Sequence, residues 1–344
     1  MGIKAHMAYT LNALLAPLDV TIVRRSKLRE MQGDPAAFSG PSFSPSALPA
    51  DSEAYLRPTN PRLHELRQLN LRLDHPAARH SLWTRQYLEK ELDLRFFRGD
   101  NPYVWQLRGL AYAEMRYVLT AYYIKAIDRL GLLGLLEEDD LFGCHTFTFD
   151  EGRVVSRDLL DSVAEINFLD RSLGLYSITA PKVLDIGAGY GRLAHRMVEA
   201  LPGASVFCTD AVAESTFIAE YYLRFRGVHG SAQIVLLPEI EDTLKGQRVD
   251  LAVNIHSFSE CRLTAIRWWV ELLAKYRVRY LMVVPNPEGK RLLSWEGNGK
   301  RLNFEPTISS AGYRLIAKEP KYRDPTVHRY GLWPTYYYLF ELDG

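Results

Sequence analysis

Residues 183–197 read VLDIGAGYGRLAHRM, an apolar strand that runs into a glycine-rich turn and then into an amphipathic helix. The strand closes around Asp185, and Gly187, Ala188, Gly189, Tyr190 and Gly191 make the turn. Such a turn sets backbone N–H groups and a helix N-terminus at the carboxyl edge of a sheet, where an open α/β fold binds its ligand. The dinucleotide pattern G-x-G-x-x-G, counted from Gly187, requires glycine or alanine at position 192, and Arg192 stands there. The glycines fall at 187, 189 and 191 instead, which speaks against a hydride-transferring site.

Outward from the turn, short apolar segments alternate with helical ones. The pattern predicts strands over 182–187, 205–210, 232–237, 249–255 and 278–285, with helices over 191–201, 213–226 and 262–276. This alternation implies a doubly wound α/β sheet built from right-handed parallel crossovers. The last two apolar segments, 312–322 and 334–342, follow one another with no helix between them. They predict an antiparallel hairpin on the edge of the sheet. On the other side of the turn, Ser156 is placed to cap a helix from Arg157 to Leu173. Its apolar stripe is Leu159, Leu160, Val163, Ile166, Phe168, Leu169 and Leu173.

The region before residue 150 has a different texture. From 61 to 140 it reads as helical, with Leu107, Leu110, Ala111, Met115, Val118, Leu119 and Tyr122 at three- and four-residue spacing. Gly99, Asp100, Asn101 and Pro102 break that period and mark a turn. Residues 7–31 read as a helix and a short strand at 20–23, and 33–52 is a Gly/Pro/Ser-rich loop. The chain therefore divides into a mainly helical part, 1–150, and an α/β domain, 151–344. The acidic run Glu137–Asp140 reads as a solvated helix end.

The chain has 42 basic and 41 acidic residues, a net charge of +1, which gives no electrostatic reason to expect a nucleic-acid partner. Its cysteines, Cys144, Cys208 and Cys261, are scattered and form no metal-ligand spacing, as expected of a chain in a reducing compartment. No run of 18 apolar residues is present, so no membrane partner is expected, and the expected location is cytoplasmic. Twenty tyrosines and 6 tryptophans suit a cleft with flat, hydrogen-bonding walls. An aromatic surface of that extent would also support a homodimer, though nothing in the sequence locates the interface.

The D-x-G-x-G-x-G arrangement of Asp185, Gly187, Gly189 and Gly191 resembles the first motif of class I S-adenosylmethionine-dependent methyltransferases. The segments 97–106, 156–174, 183–197 and 256–269 together look like the sugar O-methyltransferase family, a similarity that covers most of the chain. The resemblance implies a Rossmann-like methyltransferase sheet, S-adenosylmethionine as cofactor, and a sugar or glycosylated small molecule as acceptor. It implies that Asp185 holds the methionine ammonium and that Asp210, ending the second strand, accepts from the ribose hydroxyls. Ala211 and Asn254 join the expected cofactor site, and Leu237 and Glu239 are expected at the adenine.

Methyl transfer to a hydroxyl needs in-line alignment and removal of a proton. His256, just after the fourth strand, is the candidate base, with Glu260 to orient it or to bind acceptor hydroxyls and His328 as its rival. Arg98, Asp100 and Tyr103 are candidates for the acceptor wall, and Trp105 is as well suited to the core. Glu165 and Asp170 are further acceptor candidates, although charged residues on an amphipathic helix ordinarily face water. No clustered aspartates or glutamates follow the fourth strand, so no metal is expected. The alternatives are a phenolic or polyketide hydroxyl as acceptor, or a chain that binds cofactor without turnover.

Overall fold

A computed structural model describes residues 48–79, 82–104, 106, 113–150, 152–287 and 291–344. The expectations for 7–31, for the loop from 33 to 47, and for Trp105, Leu107, Leu110 and Ala111 lie outside the described residues. The first half contributes helices α1 (Pro61–Arg72), α2 (Arg85–Glu91) and α3 (Ala113–Ile127). A small antiparallel hairpin that the sequence did not reveal follows, β1 (Thr146–Phe149) with β2 (Arg153–Ser156).

Helix α4 (Arg157–Leu173) has the predicted bounds, because both ends are written into the chain. Ser156 Oγ accepts from Leu159 N at 3.0 Å, and Gly174 closes the helix in the left-handed region at φ 64°. The elements β3 (Lys182–Ile186), α5 (Arg192–Ala200), β4 (Ser205–Thr209), α6 (Ala213–Phe225), β5 (Ala232–Ile234), α7 (Ile240–Gly246), β6 (Leu251–Ile255), α8 (Leu263–Lys275) and β7 (Tyr280–Val284) then alternate, and of these only α7 was not expected from the sequence. The third strand is shorter than the predicted 232–237. Pro238 has no N–H for a ladder, and Leu237–Glu239 turns instead as a short 3₁₀ segment. Helix α9 (Glu305–Ser310), β8 (Tyr313–Pro320), α10 (Pro325–Tyr330) and β9 (Tyr336–Leu342) complete the chain. Helix α10 corrects the reading of a helix-free tail: Asp324 accepts from the N–H groups of Thr326 and Val327, and Pro325 opens the turn.

The seven strands lie in the order β5-β4-β3-β6-β7-β9-β8. Strands β3 to β7 are parallel, while β9 runs antiparallel to both β7 and β8. The order reverses direction at β3, which is the switch point where such a sheet opens its ligand crevice. This is a Rossmann-like sheet carrying the expected terminal antiparallel hairpin.

The two halves share one core. Leu63, Leu66, Phe97, Tyr117 and Phe142 from the first part belong to the same apolar cluster as Val183, Val206 and Val253 of the sheet. Helix α1 lies across α6, where Arg62 pairs with Glu220 at 2.6 Å and Arg67 with Glu214 at 2.8 Å. Helix α3 turns a different side to the core than its most evident apolar residues suggest. Met115, Val118 and Tyr122 are exposed, whereas Tyr117, Ala121 and Ile124 are buried and Thr120 Oγ1 accepts from Leu332 N at 2.9 Å.

The acidic run is solvated only in part. Glu137 and Asp140 are exposed, but the Glu138 side chain is buried, and it and Asp139 bind Arg98 at 2.6 and 2.9 Å. Arg98 also reaches Asp158 of α4, Arg196 of α5 pairs with Glu138 at 3.0 Å, and Arg226 pairs with Asp139 at 2.5 Å. Burial of this many charges is tolerable only because each faces an opposite one.

Candidate active site at the glycine turn

One cleft of about 1010 Å³, including its open mouth, lies at the carboxyl edge of β3, β4 and β6. Asp185, Gly187, Ala188, Gly189, Tyr190, Asp210, Ala211, His256, Glu260 and Tyr103 all line it, so the structure gathers ten of the sequence candidates in one place.

The turn is built for close approach. Gly187 sits at φ 72°, and a Cβ there would come within 2.2 Å of Ser257 Oγ. Gly191 opens α5 at φ 86°, where a Cβ would press on Leu223 at 3.1 Å. Tyr190 is anchored inward: its hydroxyl donates to Asp158, and its ring packs against Phe97 and Tyr222, each at 5.2 Å. Arg192 makes a two-pronged pair with Glu165 of α4, at 2.9 and 3.1 Å, and donates to Ser162. The residue that breaks the dinucleotide pattern is therefore the one that fixes α5 on α4.

Two carboxyls flank the turn. Asp185 is 3% exposed, and burial, with Glu165 and Asp210 adding and Arg192 opposing, pushes it up to about 7. Asp210 accepts from Gly189 N at 3.0 Å and Val212 N at 2.8 Å, yet burial still raises it to about 6. Acids held away from water in this way gain most from a ligand that supplies a cation or several hydrogen-bond donors. An ammonium at Asp185 and a diol at Asp210 meet that need, so the donor set fits S-adenosylmethionine.

His256 stands at the end of β6 with φ at 66°, a conformation L residues rarely adopt. Its N–H donates to Val284 O at 2.7 Å, and Nδ1 lies 3.2 Å from Pro285 O. A carbonyl can only accept, so Nδ1 carries the proton and Nε2 keeps its lone pair. Burial lowers the imidazole to about 3, helped by Arg157, Lys321 and Arg192 and opposed by Asp161. Glu260 does not orient it, a correction to the expected pairing. Its carboxylate is instead held by Trp83 Nε1 at 2.7 Å and Asn286 Nδ2 at 3.2 Å, and burial raises it to about 7.

Other candidates fall away from the cleft. Arg98 is consumed by the buried ion cluster and offers no face to an acceptor. Asp100 is exposed, and Asp170 accepts from Tyr176 N at 2.9 Å. Glu165 is buried rather than solvated, because Arg192 neutralises it. Asn254 is fully buried and ties the strands to the turn after β6, donating to Ile186 O and accepting from Phe258 N, both at 2.8 Å. Leu237 packs in the core and Glu239 is exposed, both outside the cleft lining. His328 lies on α10, against Tyr336, also outside the lining.

Among the lining residues that sequence reasoning missed are Trp83, Ala77, Ser257, Cys261 and Trp269. Trp83 precedes α2, whose cap is Thr84. A tryptophan beside a helix cap in a polar stretch was the available signal, and it carries no period that points to a site.

The sequence matches no protein-family model and no curated protein. Solved structures do resemble the chain. Magnesium protoporphyrin IX methyltransferase from Synechocystis PCC 6803, with bound SAM, is 14% identical at a TM-score of 0.37, covering 55% of this chain and 85% of its own. The [4+2]-cyclase SpnF is 13% identical at 0.39, covering 66% and 96%. The mitomycin 7-O-methyltransferase MmcR is 17% identical at 0.35, covering 54% and 57%. The strand order itself, with its antiparallel seventh member, makes this a Rossmann-like methyltransferase fold.

Proposed function

We propose that this chain is an S-adenosylmethionine-dependent O-methyltransferase whose acceptor is a hydroxyl of a sugar or glycosylated small molecule. The observation that carries the reading is the glycine turn set between two elevated carboxyls, the buried Asp185 and the half-buried Asp210. The sugar as acceptor rests on the sequence resemblance.

When bound, S-adenosylmethionine supplies an electrophilic methyl carbon. The work of the protein is to hold the reactants in line and take up a proton. Asp185 holds the ammonium, and Asp210 accepts from the ribose hydroxyls while its backbone bonds fix the turn. Gly187 and Gly189 let the backbone approach without a side chain between. His256 offers Nε2 to the acceptor hydroxyl, with Nδ1–H pinned on Pro285 O so that the tautomer is set. Its lowered pKa keeps it neutral at physiological pH and makes it a weak base, so Nε2 takes the proton only as the oxygen is alkylated and its acidity rises.

The test is calorimetric titration with S-adenosylhomocysteine, with NAD in parallel, followed by methyl transfer to a panel of sugars and phenols. Binding of S-adenosylhomocysteine alone and transfer to a sugar support the reading. Binding of NAD alone overturns it, and transfer only to phenols replaces the sugar with an aromatic acceptor.

A further inference from the structure

Beyond the last rungs of the sheet, the strand ends around His256 are joined through side chains. Strand β9 runs antiparallel to β7, so its first residues lie at the same edge as the ends of β6 and β7. The ladder between β7 and β9 stops at Val283 with Tyr338. Pro285, two residues on, has no N–H to extend it, and its carbonyl is left to other donors. Two side chains take that carbonyl: His256 through Nδ1 at 3.2 Å and Thr335 through Oγ1 at 2.6 Å. Thr335 is buried, and its own carbonyl accepts from Lys321 N at 2.9 Å, which ties it to the end of β8.

The same peptide group is tied at its nitrogen as well. Asn286 N donates to Ser259 Oγ at 3.1 Å, and Ser259 N donates to His256 O at 2.9 Å. The amide joining Pro285 to Asn286 is therefore held at its oxygen by Thr335 and at its nitrogen by Ser259. Such a group offers the imidazole an acceptor that cannot turn away. His256 stands at φ 66° and ψ −32°, where an L residue stays only if its surroundings over-determine it. The bond to Pro285 is the ring's only hydrogen bond among the described residues. Because the imidazole lies at about 3, it is uncharged at neutral pH, and its chemistry turns on which nitrogen carries the proton.

We propose that Thr335 is a positioning residue for His256: its hydroxyl fixes the Pro285 carbonyl, and that carbonyl keeps the imidazole proton on Nδ1 and the lone pair on Nε2. This inference rests on the reading of His256 as the base. Thr335 itself stands outside the cleft lining and acts only through the carbonyl. Without the hydroxyl, the amide is free at its oxygen to turn, and the two tautomers draw together in population.

The test is nitrogen NMR of the full chain labelled in histidine, at neutral pH and without ligand. The His256 signals are identified by their loss in His256→Gln. The two ring nitrogens of a neutral imidazole differ in shift, so the spectrum reads the tautomer ratio. The unaltered protein is expected to show the Nδ1–H form in excess. In Thr335→Val, which keeps the side-chain shape and removes the donor, that ratio falls by about tenfold, the size of one hydrogen bond. Thr335→Ser, which returns the donor, restores it, whereas a residue that merely fills space would leave the ratio unmoved throughout. A ratio in Thr335→Val within about threefold of the unaltered protein overturns the inference. So does an Nε2–H form predominating in the unaltered protein. Should the added methyl of Thr335→Val prevent folding, Thr335→Ala removes the hydroxyl without one, and the unaltered protein alone still decides the second point. The measurement needs neither cofactor nor acceptor, so its failure leaves the cofactor reading standing. Failure of that reading shows instead in the titration with S-adenosylhomocysteine.

Discussion

Replacing Asp185 by Asn should make the empty protein more stable at pH 8 while weakening its hold on S-adenosylhomocysteine. The carboxyl sits at about 7 in the fold against a usual value of 3.8. Between about pH 4 and 7 the folded chain keeps a proton on Asp185 that the unfolded chain has released, so stability falls as pH rises through that window. At about 1.4 kcal/mol per pH unit the loss has a ceiling of about 4 kcal/mol. Asn has nearly the same shape and no charge to desolvate, so Asp185→Asn escapes that loss. For a chain of 344 residues, unfolding entropy makes 4 kcal/mol worth about 5 °C in melting temperature. The assay is thermal unfolding of both proteins without ligand at pH 4 and pH 8. The curves should coincide at pH 4 and separate by a few degrees at pH 8, with the variant higher. Excess S-adenosylhomocysteine should then raise the unaltered protein well above the variant. A variant that melts at or below the unaltered protein at pH 8 without ligand would refute the argument from burial.

Gly187→Ala places a methyl within 2.2 Å of Ser257 Oγ at φ 72°, so urea unfolding should show a loss of about 1–3 kcal/mol and calorimetry little remaining ligand affinity. His256→Ala should lower turnover by about a hundredfold while S-adenosylhomocysteine affinity stays within about threefold, a split that kinetics and titration resolve together. Because His256 lies at about 3, the rate profile between pH 5 and 8 should carry no imidazole limb. Its acid side should instead follow the carboxyls near 6 and 7, with activity falling as they protonate. Arg98→Met leaves Glu138 and Asp158 buried without their shared cation, and chemical denaturation should register a loss of about 3–5 kcal/mol.

Much of the fold was legible because local signals agreed with the final packing. Ser156 and Gly174 bound α4 on their own, and the apolar runs ending at Asp185 and Asp210 located two strands and the turn between them. The glycine-turn half of the cleft was readable for the same reason, since three glycines and two acids lie within 26 residues of one another. What failed depended on distant partners. Glu165 reads as a solvent-facing residue until Arg192 is seen opposite it, and Glu138 until Arg98 is. Met115 and Tyr122 form an apolar row that period alone assigns to a core, yet Thr120 and Tyr117 face inward because Leu332 and Gln106 bond them. Trp83 meets Glu260 across 177 positions of sequence, a distance no spacing rule spans.

The buried ion cluster is divided unevenly along the chain. One cation and two carboxylates, Arg98, Glu138 and Asp139, come from before residue 150, while one carboxylate and two cations, Asp158, Arg196 and Arg226, come from after it. Each part alone would bury an unbalanced charge of opposite sign, and only the joined chain is neutral there. Neither part is a portable module. Recombination that exchanged the helical part between relatives would have to carry a matched set of charges with it. A change in what the cleft binds is therefore more readily reached by substitutions in its lining, one side chain at a time, than by swapping the helical part whole.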